Sequence, residues 1–284
     1  MERIWKIEGE FMRNPDLRLE DVREIREWLQ TQQHIPHISE FEIVLFLHSN
    51  YYELEATKMT IEHYYTCRTS YKEFFSNLDL NSKGLLQAHE AITLTVLPNP
   101  TPEGYRIIFG RLNNTDPSKF NLAHCIKLFF LFVDALLLEE GTIEGLVLAF
   151  DMTGAQIGHV FKLGLFTVKH GLHYIQEGFP IRMKQIHFFN LVSFIDKILA
   201  IVRPFMKQSL WDILYLDPKI EDTYDCIPPD VFPTDYPGGT ALSVRELHEI
   251  SYKNLFKYQN YFYEAERSKV TDENLRDKKS KWWF

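Results

Sequence analysis

Gly145-Leu-Val-Leu-Ala-Phe-Asp151 and Phe179-Pro-Ile-Arg-Met-Lys-Gln-Ile-His-Phe-Phe-Asn190 read as two strands, one helix-length apart. Residues 158–174, between them, carry the pattern of that helix. Upstream, residues 105–109 read as another strand and residues 122–139 as a long apolar helix. Downstream, residues 193–202 and 206–213 read as helices, with a strand over residues 211–216 as the alternative for the last element. Strands alternating with helices predict an α/β domain, a mostly parallel sheet covered by helices. Along residues 179–190 side chains alternate between faces. Ile181, Met183, Gln185, His187 and Phe189 take one face, and Arg182, Lys184, Ile186, Phe188 and Asn190 the other. Arg182 and Lys184 thereby form a basic pair suited to phosphate; a solvated strand end explains them equally well.

Working outward, residues 77–116 are broken by Gly84, Pro98, Pro100, Pro102 and Gly104 and read as a linker into the strand at residue 105. Ahead of it lie short helices. Val22, Ile25 and Leu29 repeat at helical spacing, Ser39 with Glu42 forms a capping-box pattern, and residues 53–68 carry Leu54, Lys58, Ile61 and Tyr65 on one side. Three such helices are marginal alone, so they are expected to dock on the rest. The end of the chain, residues 244–277, is helical by pattern and strongly charged. The expected division is a helical domain over residues 1–78, the α/β domain over residues 79–245 and a charged helical tail over residues 246–284.

Composition narrows the function. Of 284 residues, 31 are basic and 39 acidic, a net charge of −8 that makes a poor general binder of nucleic acid. Aromatics reach 14%, enough for a large core or a lined cavity. Cys67, Cys125 and Cys226 form neither a disulfide framework nor a zinc pattern. No signal-peptide core and no apolar run of about 20 residues is seen, so a cytoplasmic protein is expected. Phosphate-loop, dinucleotide and hydrolase-elbow motifs are missing, and Gly238-Gly239 reads as a turn. Residues 79–90 mimic a calcium loop, but Lys83 stands where an oxygen ligand belongs. His170 and His173 share a predicted helix face without a third ligand, and no metal is expected. Asp134 interrupts an apolar helix, so it either faces outward or pairs with a base. Asp151 ends its strand and reads as an acceptor for the turn that follows.

With Phe232-Pro-Thr-Asp-Tyr-Pro-Gly-Gly239 downstream, the order and spacing of these pieces resemble the CRAL-TRIO lipid-binding family. Tyr64-Tyr-Thr-Cys-Arg68 and Arg203-Pro-Phe205 add to the resemblance, which covers nearly the whole chain. The ending differs from the family's in carrying a proline between the aromatic and the glycines. The resemblance implies an N-terminal helical domain and a lipid domain with a hydrophobic pocket. It implies a pocket wall of Leu128, Phe132, Leu146, Phe150, Ile157, Phe161, Leu163, Ile175, Phe179, Ile181 and Ile186, with His159, His173 and Tyr174 as polar contacts. Family members that bind tocopherol have small polar residues at the positions of Leu128 and Phe132. It also implies a gate over residues 193–214, where Phe194, Ile198, Val202 and Phe205 recur at helical spacing and Pro204 ends the helix. Arg182 and Lys184 match basic phosphoinositide positions. The other basic positions fall near Asn50 and at Ser209 and Ile213, with Lys207 compensating in part. The implied protein is a monomeric cytoplasmic carrier of a small hydrophobic lipid (retinoid, tocopherol, carotenoid or other isoprenoid). It would touch membranes transiently and use no cofactor and no catalysis. The alternatives are a lipid sensor that binds a protein partner through an exposed acidic tail, and a metal hydrolase using His170 and His173. Lys278, Lys279 and Lys281 before Trp282-Trp-Phe284 suit a bilayer interface.

Overall fold

A computed structural model describes residues 7–276. The chain opens with α1 (Ile7–Arg13), α2 (Leu19–Thr31), α3 (Glu40–Ser49), α4 (Leu54–Ser70) and the single turn α5 (Lys72–Phe75). Val22 and Ile25 of α2 are buried, as their spacing predicts. Ser39 and Glu42 cap α3 reciprocally, the hydroxyl accepting from the Glu42 N–H at 3.3 Å and the carboxylate from the Ser39 N–H at 3.0 Å. The Arg68 guanidinium, buried at the end of α4, donates to Asp134 at 3.2 Å. Asp134 therefore pairs with a base, and the pair ties the N-terminal helices to the domain behind them.

Residues 77–116 are no linker. They hold α6 (Lys83–Ala91), β1 (Ile92–Val96) and β2 (Arg106–Leu112). The Asn81 N–H bonds Asp79 Oδ1 at 2.9 Å in a turn that leads into α6, so the calcium-like spacing describes a helix entry. Then come α7 (Leu122–Glu140), β3 (Leu146–Asp151), α8 (Ile157–Val160), α9 (Leu165–Glu177) and β4 (Met183–Phe189). The single helix expected over residues 158–174 is thus two helices, with a turn running to Gly164. After β4 follow α10 (Ile195–Val202), the short α11 (Gln208–Trp211) and β5 (Leu214–Asp217), so the strand alternative holds for the last element.

The sheet runs β1-β2-β3-β4-β5, with β1 antiparallel to β2 and every other pair parallel. Leu146 pairs with Met183 but Val147 with Gln185, a bulge that leaves Lys184 as the extra residue. The bulge corrects the simple alternation: Met183 packs into the same cluster as Ile186 and Phe188, and only Gln185, His187 and Phe189 keep the other face. Asp151 ends β3 as an acceptor, taking bonds from the Thr153 N–H (2.8 Å), the Asn190 amide (3.0 Å) and the Tyr236 hydroxyl (2.5 Å). A Cβ at Gly239 would collide with the Pro233 carbonyl, which explains the glycine in that turn.

The tail is docked through its apolar side chains and leaves most of its charges outward. α12 (Val244–Leu255) covers β1 and buries Leu247 and Tyr252, and α13 (Gln259–Ser268) buries Phe262 and Ala265. Beyond α13 the Asp272 N–H donates to the His34 carbonyl at 2.8 Å, and buried Arg276 pairs with Glu62 and Glu273. Residues 269–276 thus form a strap across the N-terminal helices, with Asp272 and Glu273 exposed. The basic-aromatic end at Lys278–Phe284 lies outside the described residues.

Candidate ligand-binding site

The site begins with an asymmetry of the sheet. Val147, Ala149 and Phe189 point to one face and are fully buried there. On the other face Phe150 and Phe188 are only half-buried, although β3 and β4 are interior strands. A side chain in mid-sheet keeps accessible surface only if space opens in front of it. Met183, Leu172 and Ile175 of α9, Ile126 of α7 and Leu214 of β5 are half-buried around the same cluster. Gly110 helps shape this floor: the Phe150 ring lies against it, 2.7 Å from where a Cβ would stand.

The expected cover of this space, from the gate over residues 193–214, is α10. None of its residues is buried, and Phe194, Ile198, Leu199, Ile201 and Val202 are all half-buried. A helix apolar on several sides and buried on none is poorly explained as core. It packs chiefly on α9 and the turn that follows it. The far end of that cover is tied by polar bonds to the end of α9. The Gln176 amide donates to the Phe205 carbonyl at 3.0 Å and accepts from the Lys207 N–H at 2.6 Å, and Lys207 pairs with Glu177.

These are the features of a lipid-holding α/β domain, and comparisons with known proteins agree. The family described as CRAL/TRIO domain matches residues 93–238, just over half of the 284. The chain belongs to the CRAL/TRIO family. Residues 14–85 match a second family, the Pinta-like UBA domain. The CRAL/TRIO chain is 28% identical over 244 residues to the mouse (Mus musculus) alpha-tocopherol transfer protein-like protein, covering 84% of this chain and 70% of that one. It is 23% identical to Clavesin-1 of Pongo abelii over 96% of this chain and 80% of that one. A solved structure of Sfh5 shares the fold, with a TM-score of 0.51 at 10% identity over 71% of this chain and 72% of that one.

Within this CRAL/TRIO domain the expected wall residues take several positions. Phe150, Ile175, Phe194, Ile198 and Val202 are half-buried. Leu128, Phe132, Leu146, Phe179, Ile181 and Ile186 are buried. Tyr174 is not a polar contact: it is core, ringed by Tyr64, Phe75, Phe130 and Phe179. His159 is buried too, its Nδ1 accepting from the Gln156 N–H at 3.0 Å and its Nε2 covered with no hydrogen-bond partner. Ile157 and Phe161 are corrections. Ile157 opens α8 and is exposed, and the turn after α8 throws Phe161 outward, 84% exposed. Leu163 sits half-buried in the same turn. Phe188 was missed as a wall residue although its alternation with Ile186 was legible; Met183 was hidden by the bulge.

The polar groups of the reading are engaged. Arg182 donates to the His48 carbonyl at 2.7 Å and lies 4.2 Å over the Tyr51 ring, while Lys184 donates to the Tyr51 hydroxyl at 3.1 Å. Burial, aided by Arg182 and Lys184, pushes the pKa of His48 down to about 3. His170 bonds Glu73 and stacks on Tyr71; His173 meets the Tyr71 hydroxyl at 2.9 Å and Cys67 Sγ at 3.5 Å. Among the described residues no group of three or more His, Cys, Asp or Glu is arranged to hold a metal ion. Cys67, Cys125 and Cys226 are free thiols, and burial pushes the first two up to about 12. A separate cleft of about 370 Å³ opens between α3, α4, the end of α7 and α13. Its ammonium, Lys269, is already held by Glu42 and the Tyr261 hydroxyl. Among the described residues no helix is long and apolar enough to cross a membrane.

Proposed function

We propose that this CRAL/TRIO chain is a non-catalytic carrier that takes one small hydrophobic lipid from a membrane, encloses it and releases it at another. It acts as a monomer in the cytoplasm. The observation that carries the proposal is the half-buried pair Phe150 and Phe188 on interior strands, together with an α10 that is apolar apart from the exposed Asp196 and Lys197 and has no buried residue. The relatives whose names denote transfer support the same reading. α10 opens, the lipid partitions onto the apolar floor, and the Gln176 and Glu177 contacts re-form as it closes. Burying about 400 Å² of lipid would yield roughly 10 kcal/mol gross. Ordering of the ligand and cover offsets much of that. Isoprenoids such as retinoids, tocopherols and carotenoids are the candidate class.

The membrane-facing surface is proposed on the same side as the cover. Phe161 and Phe166 are 84% and 74% exposed, with Ile157, Leu165, Lys162 and Lys169 exposed beside them. Aromatics flanked by lysines suit a bilayer interface.

The test is mass spectrometry of organic extracts of protein purified from its natural source, followed by a transfer assay between vesicles with the lipid found. One lipid at near-equal stoichiometry, moved between vesicles by the protein, is the expected result. A protein that extracts clean and moves none of a retinoid, a tocopherol, a carotenoid and a fatty acid is no carrier.

A further inference from the structure

The sheet separates its polar from its apolar residues by face. From β1 to β5, the positions that register with Phe150 and Phe188 are aliphatic, aromatic or glycine, apart from Arg106 at the start of β2. Arg106 is tied to the Leu97 and Pro98 carbonyls and to Glu140. The sheet's hydrogen-bonding side chains point the opposite way. There Thr95 bonds Ser251 at 2.6 Å, Gln185 reaches Cys226, and His187 meets Asp217 at 2.8 Å.

The helices over the floor repeat this pattern. On α7, His124 bonds Gln87 at 3.1 Å, Lys127 donates to the Ser76 carbonyl at 2.5 Å, and Asp134 accepts from Arg68. On α9, His170 and His173 are held by Glu73 and Tyr71. The Nε2 of His159 is covered by packing, so it presents no donor to an open space. At the end of α9 two polar side chains adjoin the cover: Gln176, whose amide is used at both ends, and Glu177, which pairs with Lys207. Apart from Thr167 of α9, half-buried without a side-chain hydrogen bond, the described residues of the floor and its facing helices that are not solvent-exposed offer an enclosed ligand hydrocarbon and aromatic surface without a free hydrogen-bonding side chain.

We infer that this site selects a lipid whose enclosed part is pure hydrocarbon, such as a polyene or other unsubstituted terpenoid chain, and excludes one that must bury a hydroxyl or carboxyl. This rests on the carrier proposal and adds a ligand class to it. A hydroxyl taken from water into such a site without a partner loses about tenfold to a hundredfold in affinity, and a carboxylate more. A polar end, where the ligand has one, stays at the mouth.

The test is equilibrium distribution between the full-length protein and neutral phosphatidylcholine vesicles, which removes differences in water solubility. Two shape-matched pairs serve as probes: β-carotene against its dihydroxy derivative zeaxanthin, and retinol against its 15-deoxy hydrocarbon. The expected result is a preference of about tenfold or more for the hydrocarbon in at least one pair. Phe150→Tyr and Phe188→Tyr, each adding one hydroxyl to the floor, should each shift that preference toward the hydroxylated partner while keeping the parent's circular dichroism. Equal or tighter binding of the hydroxylated probe in both pairs overturns the inference and leaves the carrier proposal standing. Binding of neither pair, together with a clean organic extract, overturns both.

Discussion

Single residues show most directly what holds the two domains together. Arg68 is buried between Tyr64, Phe75 and Asp134, with its guanidinium 4.8 Å from the Phe75 ring. A buried charge tolerates such a place only while its counter-charge is there, because removing one partner leaves the other desolvated and unpaired. Asp134→Ala should therefore lower stability by about 3–5 kcal/mol. Asp134→Asn keeps an acceptor oxygen and should cost less. Replacing both partners with apolar residues, Arg68→Met with Asp134→Leu, should restore much of the loss. Urea unfolding midpoints measure all three. A loss for Asp134→Ala below about 1 kcal/mol would show that the pair is an exposed-type bridge of little weight.

At the scale of elements, α9 joins the N-terminal helices to the cover. Gly178, just after it, packs so close to α4 that a Cβ would meet the Tyr64 backbone at 2.9 Å. One turn earlier His173 sits edge-on to His63 of α4, ring centres 5.5 Å apart. Burial lowers the pKa of both below the ordinary histidine value. His63 also faces Glu177, Glu62 and Lys207; His173 faces His63, Glu177, Lys207 and His170. A histidine held neutral contributes stability that is present above its ordinary pKa and is lost as pH falls through that value toward the folded one. Acidification from about pH 7.5 to about pH 5.5 should thus lower the urea midpoint. The double variant His63→Gln with His173→Gln should lose less over the same interval. An equal acid loss in parent and variant would place the sensitivity elsewhere, with His48 and His89 the next groups to replace, since burial pushes them down to about 3 and about 4.

For the whole molecule the proposed partner is a bilayer. The basic pair Arg182 and Lys184 is spent largely on Tyr51 and His48, and Lys207 on Glu177. The apolar turn at Phe161 and Phe166 is exposed. Docking should depend on that turn more than on headgroup charge. Phe161→Asp combined with Phe166→Asp should reduce flotation with neutral vesicles at least about tenfold, since each phenyl ring inserted contributes roughly 1.5–3 kcal/mol. Thermal stability should stay near the parent's, because neither ring is part of the core. Adding phosphoinositide to the vesicles should change binding only weakly. Strong phosphoinositide dependence that Arg182→Ala with Lys184→Ala abolishes, and the aspartates leave intact, would reverse this picture.

How much was legible follows from the range of each interaction. The capping box at Ser39 and Glu42, the helical repeat of Val22 and Ile25 and the strand of residues 183–189 depend on neighbours a few residues away, and local pattern determined them. For Asp134 the sequence left two choices, outward or paired with a base, and the fold chose by bringing Arg68 to it. Tertiary structure decided the rest. Ile92-Thr-Leu-Thr-Val96 is a strand because β2 is there to pair with it, while its surroundings of glycine and proline read as a linker. The bulge at Lys184 arises from pairing with β3 and moves Met183 onto the face of Ile186 and Phe188. Phe161 points to solvent because the chain turns before Gly164, and composition alone would have put an aromatic inside. The charged tail lies down because Phe262 and Arg276 find partners on distant helices. Local sequence sets what a segment prefers; which face meets open space is settled only when distant segments close around it.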